Sequence, residues 1–185
     1  VGSALGTTTC ISITDGRAVT VGEAGIASSI SGITFFQGDT GSIYTHDVSG
    51  TDSTAQYNTA YGLTALDAIT TADSNTAIGY GAGSAVTTGG ESVYIGYACG
   101  DANTEGVKNV GVGSHALGGV TTGDYNIGIG QGALYSPDTE NHNIAIGESS
   151  MSGSVAGGEY NVAIGNYTLD AITSGDNCTA VGYNA

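Results

Sequence analysis

Apolar and polar positions recur along this chain with a period of 17 residues from Asn58 onward. Units start at Asn58, Asn75, Ser92, Asn109, Asn126, Asn143, Asn161 and Cys178, and one interval, from Asn143 to Asn161, is longer by a single residue. With each start as position 1, position 5 is always glycine: Gly62, Gly79, Gly96, Gly113, Gly130, Gly147, Gly165 and Gly182. Positions 2 and 4 are nearly all β-branched, as in Val93/Ile95, Val110/Val112, Ile127/Ile129 and Ile144/Ile146, and position 3 is usually Ala or Gly. Side chains alternate across a strand, so positions 1–5 predict a short strand with one bulky apolar face and one nearly bare face. Neither face is polar, so both must be covered. A coil's own interior covers one face, and a second copy of the chain is the simplest cover for the other. The pattern leaves open which face points inward.

A second short strand is expected at Ala65-Leu66, Ala116-Leu117 and Ala133-Leu134, with Ile69, Val86, Val120 and Ile172 following. Polar turns such as Thr121-Thr122-Gly123-Asp124 come next, and their Gly and Asp are residues that accept positive φ. A helix is disfavoured because the apolar segments are short and glycine recurs every few residues. A period this short means one unit stacked on itself. The expected fold is all-β: a parallel β-solenoid of about eight 17-residue coils over residues 58–185. Residues 1–57 read as a β-rich adaptor or as degenerate coils. They carry one hairpin signal around Asp15-Gly16 and a second between Thr34 and Val48. The leading asparagines Asn58, Asn75, Asn109, Asn126, Asn143 and Asn161 would lie about 4.8 Å apart in the stack, close enough for an amide ladder.

Composition narrows the function. Among 185 residues there are 33 Gly, one Pro, no Trp and mostly small apolar side chains, which suit a thin core. Seventeen acids face only Arg17 and Lys108, for a net charge of -15. Nucleic-acid binding needs basic residues to displace counterions, so it is not expected, and no apolar run is long enough for membrane insertion. Cys10, Cys99 and Cys178 form no C-x-x-C pair and define no disulfide framework. Cys99 stands where other units have Ala and reads as a small buried filler. The first residues, Val1-Gly2, match the inside of a unit and the last five stop in mid-unit. The chain is therefore expected to be a piece of a longer repetitive protein.

Catalytic signatures are missing from the sequence. There is no G-x-x-x-x-G-K-[ST] phosphate loop and no G-x-S-x-G elbow. His46, His115 and His142 occupy different places in the unit, so no metal column is expected. Turn acids Asp73, Glu91, Asp124, Glu159 and Asp176 recur and could hold Ca2+ between coils, although the Ca2+-binding roll motif is absent. Threonine pairs Thr70-Thr71, Thr87-Thr88 and Thr121-Thr122 are adjacent rather than alternating, so their side chains should diverge and not form a flat ice-binding array. Tyr57, Tyr80, Tyr97, Tyr125, Tyr160 and Tyr183 are candidates for stacking on cell-surface glycans. The expectation is a protein that is not an enzyme and holds no cofactor.

The segments N-T-A-I-G-Y-G-A at 75–82, N-I-A-I-G at 143–147 and N-V-A-I-G at 161–165 resemble the head repeats of YadA-type trimeric autotransporter adhesins. They are equally similar to the repeat tracts of phage tail and virion fibres. The resemblance covers about residues 58–185 and implies a homotrimer of parallel, left-handed β-solenoids. The 17-residue period exceeds the unit of the adhesin heads, which requires one extended turn. What the resemblance implies is an extracellular fibre segment of a phage or virus particle. It would act as a stiff shaft for host attachment beside other fibre or virion proteins. The alternatives are a bacterial adhesin head or filament subunit and, from another class, a monomeric ion-, glycan- or ice-binding solenoid.

Overall fold

The computed structural model describes residues 28–30, 33–37, 42–45, 54–136, 139–153 and 158–185. Its eleven strands follow one another in chain order across one sheet. Strands β1 (Ser28–Ile30), β2 (Ile33–Gln37) and β3 (Ile43–Tyr44) come first. β4 (Thr59–Tyr61), β5 (Thr76–Ile78), β6 (Val93–Ile95), β7 (Val110–Val112), β8 (Ile127–Ile129), β9 (Ile144–Ile146), β10 (Val162–Ile164) and β11 (Thr179–Val181) are the repeat strands. Each repeat strand pairs in parallel with the next in strict unit register, as in Ala60 with Ala77 and Gly111 with Gly128. β3 to β11 therefore form a parallel β-solenoid of nine strands and about seven turns, with no helix among the described residues. Eight strands from β4 to β11 bound seven complete coils, one fewer than the count of unit starts suggests.

β3 is already a rung of the solenoid. Ile43 and Tyr44 pair in parallel with Thr59 and Ala60, and Ser42 occupies the place of the leading Asn. The second hairpin signal corresponds to the antiparallel pairing of β2 with β3, Phe36 opposite Tyr44. The Asp15-Gly16 signal lies outside the described residues.

The strand's orientation follows from volume. Position 3 points inward and is buried at Ala60, Ala77, Ala145 and Ala163, while Ile78, Ile95, Ile129 and Ile164 at position 4 are 36–40% exposed. The interior is filled instead from the opposite wall by Leu66, Ile69, Val86, Leu117, Val120, Leu134 and Met151, all fully buried. A large residue at position 3 would collide with that wall, which is why the bare face turns in.

The expected second strand is absent. Positions 6–11 form a run of turns, because Leu66, Leu117, Leu134, Met151 and Leu169 have φ between 50° and 57°. The left-handed conformation reverses the pleat and cannot continue a strand. It costs roughly 1–2 kcal/mol for an L-residue, and the apolar side chain it drives into the core offsets this. Hydrogen bonds still pass from coil to coil here: the Leu66 amide donates to Ala82 O at 3.0 Å and that of Leu117 to Ala133 O at 2.9 Å. The polar turn also differs from expectation. Its positive φ falls on position 17, at 55–62° in residues such as Lys108, Tyr125 and Asn177, and not on the Gly or Asp before it. The turn glycines are needed for close approach: a Cβ on Gly123 would run into Glu140 O.

The invariant glycine at position 5 satisfies two constraints at once. Its φ lies between 125° and 142°, and from Gly62 to Gly165 a Cβ there would meet the carbonyl of the same glycine one coil on. At Gly113 that Cβ would stand 2.5 Å from Gly130 O. Gly113→Ala should therefore cost about 3–5 kcal/mol. Gly81→Ala, where φ is 66° but the nearest atoms lie 3.9 Å away, should cost only about 1–2 kcal/mol. Urea denaturation of the two variants checks the difference.

Candidate functional site

Three longitudinal features run the length of the stack: an internal asparagine column, a set of edge columns and an outward apolar stripe. The asparagines are buried to within 1%. Each side-chain Oδ1 accepts the backbone N–H of the residue heading the next coil. Asn75 N donates to Asn58 Oδ1 at 2.8 Å, Asn126 N to Asn109 Oδ1 at 2.8 Å, and Cys178 N to Asn161 Oδ1 at 2.8 Å. Each Nδ2 donates to a carbonyl near the end of its own coil: Asn58 to Ala72 O, Asn109 to Gly123 O and Asn126 to Glu140 O, all at 2.7 Å. The ladder is real, but amide does not bond to amide. Backbone and side chain alternate along it, so the amide both joins neighbouring coils and closes its own. Ser42 and Ser92 supply the acceptor half of this role, receiving Asn58 N and Asn109 N at 3.0 Å.

The turn acids serve the same stacking. Asp73 Oδ1 accepts Gln56 N, Asp124 Oδ1 accepts Val107 N and Asp176 Oδ1 accepts Glu159 N, at 2.8–2.9 Å. Glu159 Oε1 accepts from Asn141 Nδ2 at 2.8 Å, and Glu91 lies 4.0 Å from Lys108 Nζ. These carboxylates bridge coils one at a time, and among the described residues no three His, Cys, Asp or Glu side chains converge as a metal site requires. The threonine pairs diverge. Thr70 and Thr87 are half-buried and donate their hydroxyls to Thr87 O and Thr104 O at 2.8 and 3.1 Å, while Thr71 and Thr88 are exposed.

Ring side chains form short stacks on the coil edges. His142 lies between Tyr125 and Tyr160, 4.8 Å from each with planes within 10°. Lys108 Nζ sits 5.0 Å from the Tyr125 ring centre and donates to its hydroxyl at 3.1 Å, which holds the ammonium above the usual lysine range. Tyr80 stacks on Tyr97 at 5.5 Å, and His115 meets Tyr97 edge-on at 5.2 Å. Two of the histidines are thus members of aromatic stacks, and His46 lies outside the described residues. Tyr57, Tyr80, Tyr97, Tyr125, Tyr160 and Tyr183, the candidates for stacking on glycans, are all exposed.

The outward stripe carries no charge. Positions 2 and 4 of all eight repeat strands hold only Thr, Val, Ile and one Tyr, Tyr61. The seventeen acids lie elsewhere along the chain. Eight rungs at about 4.8 Å give a strip roughly 34 Å long. Cys99 is buried against Gly111, and burial pushes its thiol up to about 12, whereas Cys178 is half-buried in the asparagine column. Both are free thiols, and Cys10 lies outside the described residues.

The sequence did not reveal Ser42 as a ladder member, nor the left-handed leucines. A signal for the first existed: S-I-Y at 42–44 and S-V-Y at 92–94 are the same variant of N-x-A, each with Gly at position 9 (Gly50 and Gly100). Comparison with family models, with curated proteins and with solved structures finds no match.

Two outcomes test this geometry. Asn126→Ala should destabilise by about 2–5 kcal/mol, since it removes the acceptor of the Asn143 N–H and the amide donor to the Glu140 carbonyl. Asn126→Ser should cost less, because Ser92 shows that a hydroxyl keeps the acceptor bond; thermal melts rank the pair. In native protein, a maleimide should label Cys178 and leave Cys99 unmodified until denaturant is added, as read by peptide mass mapping.

Proposed function

We propose that this chain is a structural segment of an extracellular fibre, most fittingly the tail or capsid fibre of a phage or virus particle. In it, several copies pack through their outward stripes into a stiff shaft. The observation that supports this reading best is the stripe itself. A charge-free row of β-branched side chains, with Ile78, Ile95, Ile129 and Ile164 more than a third exposed, marks an association surface. Its rungs repeat every ~4.8 Å, and the partner whose side chains repeat at that spacing is another copy of the same chain. Three copies are what the likeness to trimeric fibre and adhesin repeats suggests. Threefold packing would bury one stripe per copy and leave the acidic turns and aromatic stacks outside, where net negative charge keeps the rod soluble.

In this reading the chain's work is mechanical. Every main-chain bond, asparagine amide and turn carboxylate noted above joins one coil to the next, so load along the axis is carried by many short bonds in series and in parallel. A bacterial adhesin head or surface filament would use the same shaft.

Light scattering coupled to size exclusion should give a mass of three chains. Ile129→Asp, at the centre of the stripe, should shift the mass to one chain or lower the melting temperature by 10 °C or so, as the loss of several kcal/mol requires. A wild-type protein that stays folded, monomeric and monodisperse at high concentration would defeat the proposal.

A further inference from the structure

The outward face of the repeat strands is wider than its apolar stripe. Side chains alternate along a strand, so the residue just before each unit start and the residue at position 6 share the side of positions 2 and 4. Exposure agrees. The residues before the starts, from Tyr57 to Asn177, are all exposed, and so are those at position 6, from Leu63 to Tyr183, except the half-buried Ser114. The face is thus four columns wide: a leading column, two apolar columns and a trailing column.

Rung by rung, the two outer columns complement each other. Where the leading column has no ring, the trailing column carries tyrosine: Ser74 with Tyr80, Glu91 with Tyr97 and Asn177 with Tyr183. Where the leading column has a ring, the trailing column carries a polar chain: Tyr125 with Gln131, His142 with Glu148 and Tyr160 with Asn166. Tyr57 shares a rung with Leu63, and Lys108 with Ser114. No rung holds two rings or two like charges. Each ring other than Tyr57 stands level with a side chain that its hydroxyl or imidazole can hydrogen-bond. The like charges Glu91 and Glu148 are three rungs apart, roughly 14 Å.

Packing within one chain does not account for this match. The two members of a rung are six residues apart on extended chain, a span of up to about 20 Å. Their own contacts run along the columns and not across the face: Tyr80 stacks on Tyr97, His142 lies between Tyr125 and Tyr160, and Lys108 donates to the Tyr125 hydroxyl.

We propose that these two columns are the seams between copies: the leading column of one copy lies along the trailing column of the next, equal rung against equal rung. This rests on the reading of the chain as a shaft of several copies. Around an axis parallel to the rod, each copy turns the same edge to its neighbour and equal rungs stand at equal height. A ring on one copy then fills the place that a shorter side chain leaves on the other. His142 faces Glu148 of the adjacent copy, and Glu91 accepts from the Tyr97 hydroxyl. The columns stand outside the buried stripe and border it, as a polar rim borders an apolar interface core.

Swapping the members of a rung tests the seam in the full chain. His142→Glu alone sets two acids level with each other, and Glu148→His alone sets two rings. Each should raise the concentration at which the assembly dissociates by about tenfold or more, and the double swap should recover most of the loss. Sites this far apart within one chain have additive effects, so recovery reports contact between copies. Tyr125→Gln with Gln131→Tyr is a second swap, for the case in which the first disturbs folding. Light scattering on the wild type reads the mass separately: a folded monomer defeats the shaft and the seam together. A three-chain mass with additive losses in both swaps overturns the seam and leaves the shaft standing. Recovery of His142→Glu by Gln131→His or Asn166→His, one rung away, in place of Glu148→His overturns the equal-rung register.

Discussion

Main chain must lie against main chain in this protein at the separation of two hydrogen-bonded strands, even where there is no strand. Most other features follow from that constraint. The glycines at position 5 exist because the carbonyl of the next coil occupies the space a Cβ would need. The turn glycines obey the same rule at the other end of the coil. With the backbones this close, side chains can only project inward into a narrow lumen or outward into solvent, and the choice between Ala and Ile at neighbouring positions decides which goes where. Inward asparagines then find two backbone groups within reach, and the coil is closed by the same amide that joins it to its neighbour.

This arrangement makes a thin core sufficient. A globular domain of similar size would bury large side chains from several directions. Here the widest part of the lumen holds one Leu or Met in most coils, with Ala and a Val or Ile beside it, and Tyr94 where two successive coils have Gly instead. Much of the specificity lies in polar atoms matched at fixed spacing along the axis. Tyr94 shows how tight the lumen is, because admitting one ring requires glycine both in its own coil and in the coil before.

Much of the architecture could be read from the chain because one-dimensional order in sequence maps onto one-dimensional order in space. The period, the strand at positions 1–5 and the parallel stack all follow from Gly62 to Gly182 and from the alternation around them. The local fold of the other wall could not be read so easily. Ala116-Leu117 looks like strand or helix by pattern, and its φ of 57° at Leu117 is set by a tertiary bargain: a strained backbone accepted so that the side chain can fill the lumen. Likewise nothing in Lys108 or Tyr125 announces positive φ, since those residues only finish a turn whose glycine is used for clearance. The inward face was undecidable because both faces of the strand are apolar; the volume of the opposite wall decides it. Ser92 was marked as a unit start by the period, whereas Ser42 was visible only as its paired variant, Ser with Tyr two residues on, whose meaning depends on the lumen's width.

The coil from Asn143 to Asn161 carries one extra residue, yet Asn161 N still reaches Asn143 Oδ1 at 3.0 Å and β9 still pairs with β10 in register. An added residue is absorbed locally and leaves the rungs on either side unchanged. The same tolerance applies to whole units, because every rung presents the same groups above and below. Duplication or deletion of seventeen codons would lengthen or shorten the rod by one step of about 4.8 Å without creating a new interface. Length is thus a property that recombination can tune without disturbing the fold, much as links are added to a chain.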